Sequence, residues 1–356
     1  MKIYDLDTPA LLLDADILER NLRKMATMSA QTGTQVRPHF KVHKCIEIVR
    51  KQLELGAIGV TCAKLSEAEV LADHGIDNIL VANEIVGQPK IRRLIQLARR
   101  VNVMVGVDHP LAVEALDAAA AESNMRLAVL VDVDLGMKRN GIVPEKAAGL
   151  VRKVVASTGL EFRGLMGYEG HLINLPPGEE KTRAVNEALD CLSFVVEELK
   201  ADGIQVPIVS AGGTGDYQIA ACHPAVTELQ VGTYAVMDTL YASFTPDFEQ
   251  AMTILCTVTS RPSRKRVILD VGRKGVNIAL STASLKDRPT IEMEYTYAEH
   301  GALKVNEDAP DLVPGVKVEL RMPYACGTIH MYEKIHVIRD GEVIDVWAVA
   351  GRGKLQ

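Results

Sequence analysis

The 356-residue sequence holds no window of 18 uninterrupted apolar residues, so no membrane-spanning helix is expected. Its opening residues, Met1-Lys2-Ile3-Tyr4-Asp5-Leu6-Asp7, lack the long apolar core of a secretory signal. Six cysteines, at 45, 62, 191, 222, 256 and 326, are scattered without CxxC spacing. That argues against both a disulfide framework and a structural zinc site, and a reduced, cytoplasmic protein is the simplest reading. Positive charge is not in excess: 40 Lys and Arg face 46 Asp and Glu, a net charge of −6. With no basic stripe carrying interleaved aromatics, a nucleic-acid partner is not expected. No internal repeat or low-complexity segment stands out.

What is present is alternation. From residue 34, short apolar runs alternate with longer amphipathic ones. The candidate strands are Thr34–Phe40, Ala57–Thr61, Asn78–Ala82, Val101–Val107, Arg126–Val133, Leu160–Tyr168, Gln205–Ser210 and Val226–Val231. Helical spacing, as in Ile46, Val49 and Leu53, fills most of the gaps. Eight such units predict a parallel (β/α)8 barrel of the TIM type, with a doubly wound open sheet as the alternative. After about Met237 the pattern changes to strands with little helix: Ala251–Thr259, Arg266–Val271, Ile291–Ala298, Val316–Met322 and Lys334–Ala348. Asp340-Gly341 between two apolar runs signals a tight hairpin. The expected division is a barrel over 8–240 and a C-terminal all-β domain over 241–356. The extended segment Lys2–Leu13 is free to join the second sheet, and residues 1–7 are assigned to it.

Barrel enzymes carry their chemistry at the C-terminal ends of the strands. The first strand ends in Arg37-Pro38-His39-Phe40-Lys41-Val42-His43-Lys44. Alternation puts Arg37, His39 and Lys41 on one face, towards the barrel mouth. A lysine in a partly apolar mouth has its pKa lowered, as imine formation requires. Lys44 is the rival, expected in the first turn of the next helix and facing solvent. The seventh strand ends in Gly212-Gly213-Thr214-Gly215-Asp216-Tyr217 and the eighth in Gly232-Thr233-Tyr234, where barrels commonly seat phosphate. An inward lysine and a phosphate site in one mouth suggest pyridoxal 5'-phosphate. The fifth strand end could deliver Arg139 towards the pyridine ring, and the sixth offers Tyr168, Glu169 and His171.

These motifs, with Leu6-Asp7-Thr8-Pro9-Ala10, Asp134-Leu135-Gly136-Met137-Lys138-Arg139-Asn140-Gly141, Glu228-Leu229-Gln230-Val231-Gly232-Thr233-Tyr234 and Glu299-His300-Gly301, run through nearly the whole chain. Jointly they resemble the D-threonine aldolase and D-serine dehydratase family, fold type III pyridoxal-phosphate enzymes with the alanine-racemase fold. The resemblance implies Lys41 as the Schiff-base lysine and Arg139 near the pyridine nitrogen. It implies Gly212, Gly213, Thr214, Gly215, Gly232 and Tyr234 around the phosphate; His39 and Tyr168, from their own strand ends, are the further cofactor contacts expected. It further implies a homodimer in which the barrel mouth of one subunit is closed by the β-domain of another.

One departure stands out. Typical members carry a metal-binding His-x-Cys or His-x-Asp in the β-domain, and the metal holds the substrate's β-hydroxyl. The matching stretch here is Tyr324-Ala325-Cys326, with His330 four residues beyond the cysteine. A neutral phenol is a poor ligand beside an imidazole, which weakens the case for a divalent metal on Cys326 and His330. The leading expectation is a lyase acting on a small D-β-hydroxy amino acid, aldol cleavage ahead of dehydration, with Lys41, His171 and Tyr324 as catalytic candidates. A metal-independent racemase or epimerase using Lys41 and Tyr324 as its two bases is the alternative. A non-catalytic cofactor carrier is disfavoured, since such proteins lack the β-domain.

Overall fold

The computed structural model describes residues 1–305 and 309–356. The chain divides into two compact units, one of Met25–Lys41, Val49–Gly232 and Lys354–Gln356, the other of Met1–Lys24, Val42–Ile48 and Thr233–Gly353.

The first unit is an eight-stranded parallel barrel. Its strands are Gln35–Val36, Val60–Cys62, Ile79–Glu84, Val103–Val107, Leu127–Val133, Leu160–Gly167, Ile208–Ala211 and Glu228–Leu229. Each pairs in parallel with its neighbour in sequence from the second strand to the eighth, and the eighth pairs with the first. The last seam closes through the amides of Ile58 and Thr61, which donate to Val36 O and Pro38 O, and through Phe40 N, which donates to Thr61 O. Closure rules out the open-sheet alternative. The first strand is short because Pro38 has no N–H to give the ladder. Even so, alternate residues stay paired, Arg37 N to Leu229 O and His39 N to Val231 O. Leu80, Met104, Leu130 and Met166 form a fully apolar cluster across four neighbouring strands, backed by Ala82, Ala128 and Ile208. Burying each large side chain contributes about 1.5–3 kcal/mol. The side-chain period of two then directs Asp132 to the face of Leu130, and Ser210 to that of Ile208.

The second unit is a mixed sheet. Ala10–Asp14 lies at its centre, antiparallel to Met252–Ser263 and parallel to Lys334–Arg339. Ala10, Leu11, Leu12 and Leu13 are all buried, as a strand covered on both faces requires. Thr8 anchors the entry to this strand, its hydroxyl meeting Thr257 Oγ1 at 2.6 Å and Asp270 Oδ2 at 2.5 Å. The N-terminal segment therefore does join this sheet. The hairpin Lys334–Arg339/Glu342–Ala348 turns at Asp340 and Gly341, both with positive φ (50° and 75°), the geometry of a two-residue primed turn. One strand, Gly301–Lys304, has no counterpart among the sequence expectations. Among the described residues no helix is long and apolar enough to cross a membrane.

One local expectation is corrected. Lys44 precedes the helix Ile46–Glu54, is only 7% exposed, and has φ 53°. It does not face solvent from a first helical turn. Tyr324 lies beyond the strand Lys317–Arg321, at the start of a short helical turn, Ala325–Thr328.

Candidate active site

In the barrel unit, Arg37 is not a mouth residue. Its guanidinium makes a two-bonded ion pair with Glu228, at 2.9 and 3.0 Å, and also donates to Asn78 O and Oδ1 at 2.8 and 2.9 Å. Glu228 Oε1 further accepts from Ser210 Oγ, which accepts from Gln230 Nε2. A buried polar chain thus links the first, eighth and seventh strands. Past Arg37, His39 is buried and bridges in parallel to Thr61. Lys41 follows in the turn, half-buried.

The ends of the fifth and sixth strands form a small concavity lined by Asp132, Leu135, Arg139, Asn140 and Tyr168, among others. Asp134 shapes the loop, Oδ1 accepting the amides of Gly136 and Lys138. Arg139 lies over the Tyr168 ring, 5.7 Å from its centroid. Arg139 Nε donates to Asn140 Oδ1, and Asn140 Nδ2 donates in turn to Glu84 Oε2 (2.7 Å) and Asp132 Oδ2 (3.0 Å). Burial first, then the neighbouring Glu84, pushes the Asp132 carboxyl well above its ordinary range. His171 is exposed in the turn after the sixth strand, near the Gly136 segment of the same rim.

The glycine turn after the seventh strand is crowded from behind. A Cβ on Gly212 (φ 72°) would lie 2.8 Å from both Ala220 Cβ and Leu229 Cδ2; on Gly213 it would lie 3.1 Å from the Tyr168 ring, and on Gly215 2.8 Å from Ile173 Cβ. Thr214 Oγ1 accepts the Gly232 amide, joining the turn to the eighth strand end. Such a cradle, built of backbone where side chains do not fit, suits a phosphate group. Lys41, Arg139, Tyr168, Gly212 to Gly215 and Gly232 all lie at strand ends of one barrel, and a pyridoxal-phosphate cofactor fits this set. Tyr234 falls in the second unit, buried, with its ring 5.7 Å from that of Phe248.

Sequence reasoning missed three features: the Ser210–Glu228–Arg37 chain, the Glu84–Asp132 pair, and the burial of Lys181, whose ammonium donates to Ile173 O at 2.9 Å. The inward alternation of Arg37, Ser210 and Glu228 was the available signal for the first. Nothing in the sequence pointed to the other two.

In the second unit Tyr324, Cys326 and His330 do not make a good metal donor set. Tyr324 and Cys326 are hydrogen-bonded to each other, and burial with the adjacent Cys326 drives the phenol further above its ordinary range. It stays protonated at neutral pH. Asp238 has its two oxygens taken by the amides of Tyr241 and Ala325, each at 2.8 Å. His330 is lowered by burial first and then by two cations, Lys44 and Arg352, an unfavourable setting for a third positive charge. Among the described residues no group of three or more His, Cys, Asp and Glu could hold a metal. One thiol beside a neutral phenol does not fit a tightly held divalent ion.

A parallel barrel with a strand-end lysine and a glycine-built phosphate cradle, joined to a mixed β-domain, defines the alanine-racemase class of fold. Residues 13–239 match the alanine racemase N-terminal domain, and 251–338 match a serine dehydratase domain. D-Threonine aldolase of an Arthrobacter species is 34% identical over 98% of this chain and 93% of its own. A 3-hydroxy-D-aspartate aldolase of Paracoccus denitrificans is 32% identical over the same shares. The crystal structure of D-threonine aldolase from Filomicrobium marinum superposes with a TM-score of 0.96 at 35% identity, covering 100% of this chain and 98% of the other. The chain belongs to the D-threonine aldolase and D-serine dehydratase family of fold type III pyridoxal-phosphate enzymes.

Proposed function

We propose that this protein is a pyridoxal-phosphate-dependent carbon–carbon lyase that cleaves a small D-β-hydroxy amino acid into glycine and an aldehyde. One observation carries the reading: a half-buried lysine and a glycine cradle pressed against Tyr168 lie at strand ends of one barrel, in a chain similar to two aldolases along nearly its whole length. Lys41 anchors the cofactor, whose ring, when bound, withdraws electrons from the substrate's α-carbon. His39 and Tyr168 line its seat, and Gly212, Gly213, Thr214, Gly215 and Gly232 hold the phosphate. Arg139, held by Asn140 and stacked on Tyr168, presents its guanidinium at the rim. His171 takes the β-hydroxyl proton at an imidazole nitrogen; the Cα–Cβ bond breaks, the aldehyde departs, and a proton returned to the α-carbon completes glycine.

The β-hydroxyl is handled by side chains rather than by a divalent ion, because the Tyr324–Cys326 pair is a poor donor set. The racemase alternative is weaker for the same reason: a phenol held protonated by burial and by Cys326 is a hydrogen-bond donor before it is a base. We also infer a homodimer, as the resemblance implies, and a reducing, cytoplasmic location, which six cysteines outside any disulfide support. Incubation with D-threonine, D-serine and D-alanine separates the classes by product. Aldehyde plus glycine is expected from D-threonine; keto acid plus ammonia, or the L-enantiomer, as the main product overturns the reading.

A further inference from the structure

We propose that Glu169 and Asp216 share a single proton beneath the Gly212–Gly215 turn and act as positioning residues that keep this turn fit for a phosphate group. The identity of the anion rests on the pyridoxal-phosphate reading above; the pair itself rests on the geometry of the rim. Glu169 follows Tyr168 at the end of the sixth strand and is wholly buried, while Asp216 closes the glycine turn at 3% exposure. Asp216 Oδ1 accepts the Gly213 amide at 2.7 Å, and Glu169 Oε1 lies 3.8 Å from where a Cβ on Gly212 would be. Both carboxyls therefore converge on the Gly212–Gly213 peptide. Both oxygens of Glu169 and Oδ2 of Asp216 are buried without a donor in good hydrogen-bond geometry. The groups that act on the Glu169 carboxyl are Asp216 and the amides of Glu169 and Gly212.

Two buried carboxylates in contact repel strongly, and one proton between them converts the repulsion into an O–H···O bond. Burial first and Asp216 second push Glu169 well above the ordinary carboxyl range; burial also raises Asp216, against the pull of the Gly213 amide. The pair is flanked by the Lys181 ammonium, which attracts Asp216, and by the Tyr168 phenol packed on Gly213. With one proton, the pair and Lys181 sum to zero charge. Without it, a second negative charge lies directly under the anion seat.

The test compares the parent with Glu169→Gln, which keeps the shape and a hydrogen-bond donor but has no proton to lose. Pyridoxal phosphate affinity is measured from neutral to alkaline pH on protein freed of cofactor. The parent's Kd should rise about tenfold more than the variant's, the effect of one added charge in a partly shielded site. Parallel profiles would overturn the proposal. Infrared spectroscopy on the parent alone covers a variant that does not fold. A protonated-carboxyl band should be present at neutral pH and should shift when inorganic phosphate is added. A missing or unmoved band overturns the pair. A shifting band in a protein that takes up no pyridoxal phosphate sinks the cofactor reading and leaves the pair standing.

Discussion

Replacing Arg37 by Met should destabilise the barrel rather than disable its chemistry. The Arg37 and Glu228 side chains are each 2% exposed, so their ion pair is almost wholly desolvated. Removing the guanidinium leaves the buried Glu228 carboxylate with the Ser210 hydroxyl, at 2.8 Å, in place of an ion pair, and takes a donor from Asn78 O and Oδ1 as well. Breaking one side of a buried pair costs about 3–5 kcal/mol, against a total domain stability of about 5–15 kcal/mol. A large fall in the urea midpoint is therefore expected for Arg37→Met. The double variant Arg37→Met/Glu228→Leu should recover much of it, because an apolar pair of similar volume removes the stranded charge. Recovery should be incomplete, since Ser210 Oγ loses the acceptor for its proton and Asn78 Oδ1 loses its donor, at about 1–3 kcal/mol for each buried unsatisfied group. The assay is equilibrium unfolding, with pyridoxal-phosphate affinity measured on the same samples. If Arg37→Met unfolds within about 1 kcal/mol of the parent yet loses cofactor affinity, Arg37 belongs to the ligand site and the structural assignment is wrong.

Borohydride reduction followed by peptide mapping should place the cofactor on Lys41; a label on Lys44, buried before its helix, contradicts the assignment. Activity should survive prolonged chelation, and Tyr324→His should raise affinity for zinc or manganese; one equivalent of tightly held metal in the parent, lost in Cys326→Ala and His330→Ala, would refute this. Asp238 is raised from 3.8 to about 6 by burial, so the folded state binds its proton more tightly. Its contribution to stability is present below pH 3.8 and lost as pH rises to about 6, up to about 3 kcal/mol, and Asp238→Asn should remove that slope from a pH series of unfolding midpoints. Sedimentation should show a particle of twice the 38.7 kDa chain mass; a single-chain particle at micromolar concentration refutes the dimer.

The barrel was legible because its signal is local and repeated. The run expected at Arg126–Val133 is the strand Leu127–Val133, and that expected at Leu160–Tyr168 is Leu160–Gly167. Asp340-Gly341 carried its own turn chemistry. Gly301–Lys304 was missed because four residues beginning with glycine and alanine carry little β signal, and the strand is made by its neighbours on both sides. Lys44 was misread because a left-handed lysine is uncommon and buried lysine rarer still. Arg37 was read correctly as inward-facing, but its partner lies 191 residues away, and no pattern around Arg37 could name it.

Electrostatic balance ties the rim together. Four carboxyl groups, Glu84, Asp132, Glu169 and Asp216, lie at strand ends close to where an anionic cofactor and an amino-acid carboxylate are proposed to bind. Fully ionised, they would oppose both ligands. Instead they are paired, Asp132 with Glu84 and Glu169 with Asp216, and burial raises Asp132, Glu169 and Asp216 towards protonation. One proton in each pair leaves two negative charges, which Arg139 and Lys181 offset. On this account the rim carries less negative charge than its carboxyl groups would give fully ionised, so the phosphate meets backbone dipoles against a weaker opposing field. Arginine and lysine side chains beside acids usually read as structural ion pairs. Here the same pairs make the seat receptive to an anion, which is why Lys181, remote from the rim in sequence, matters to it.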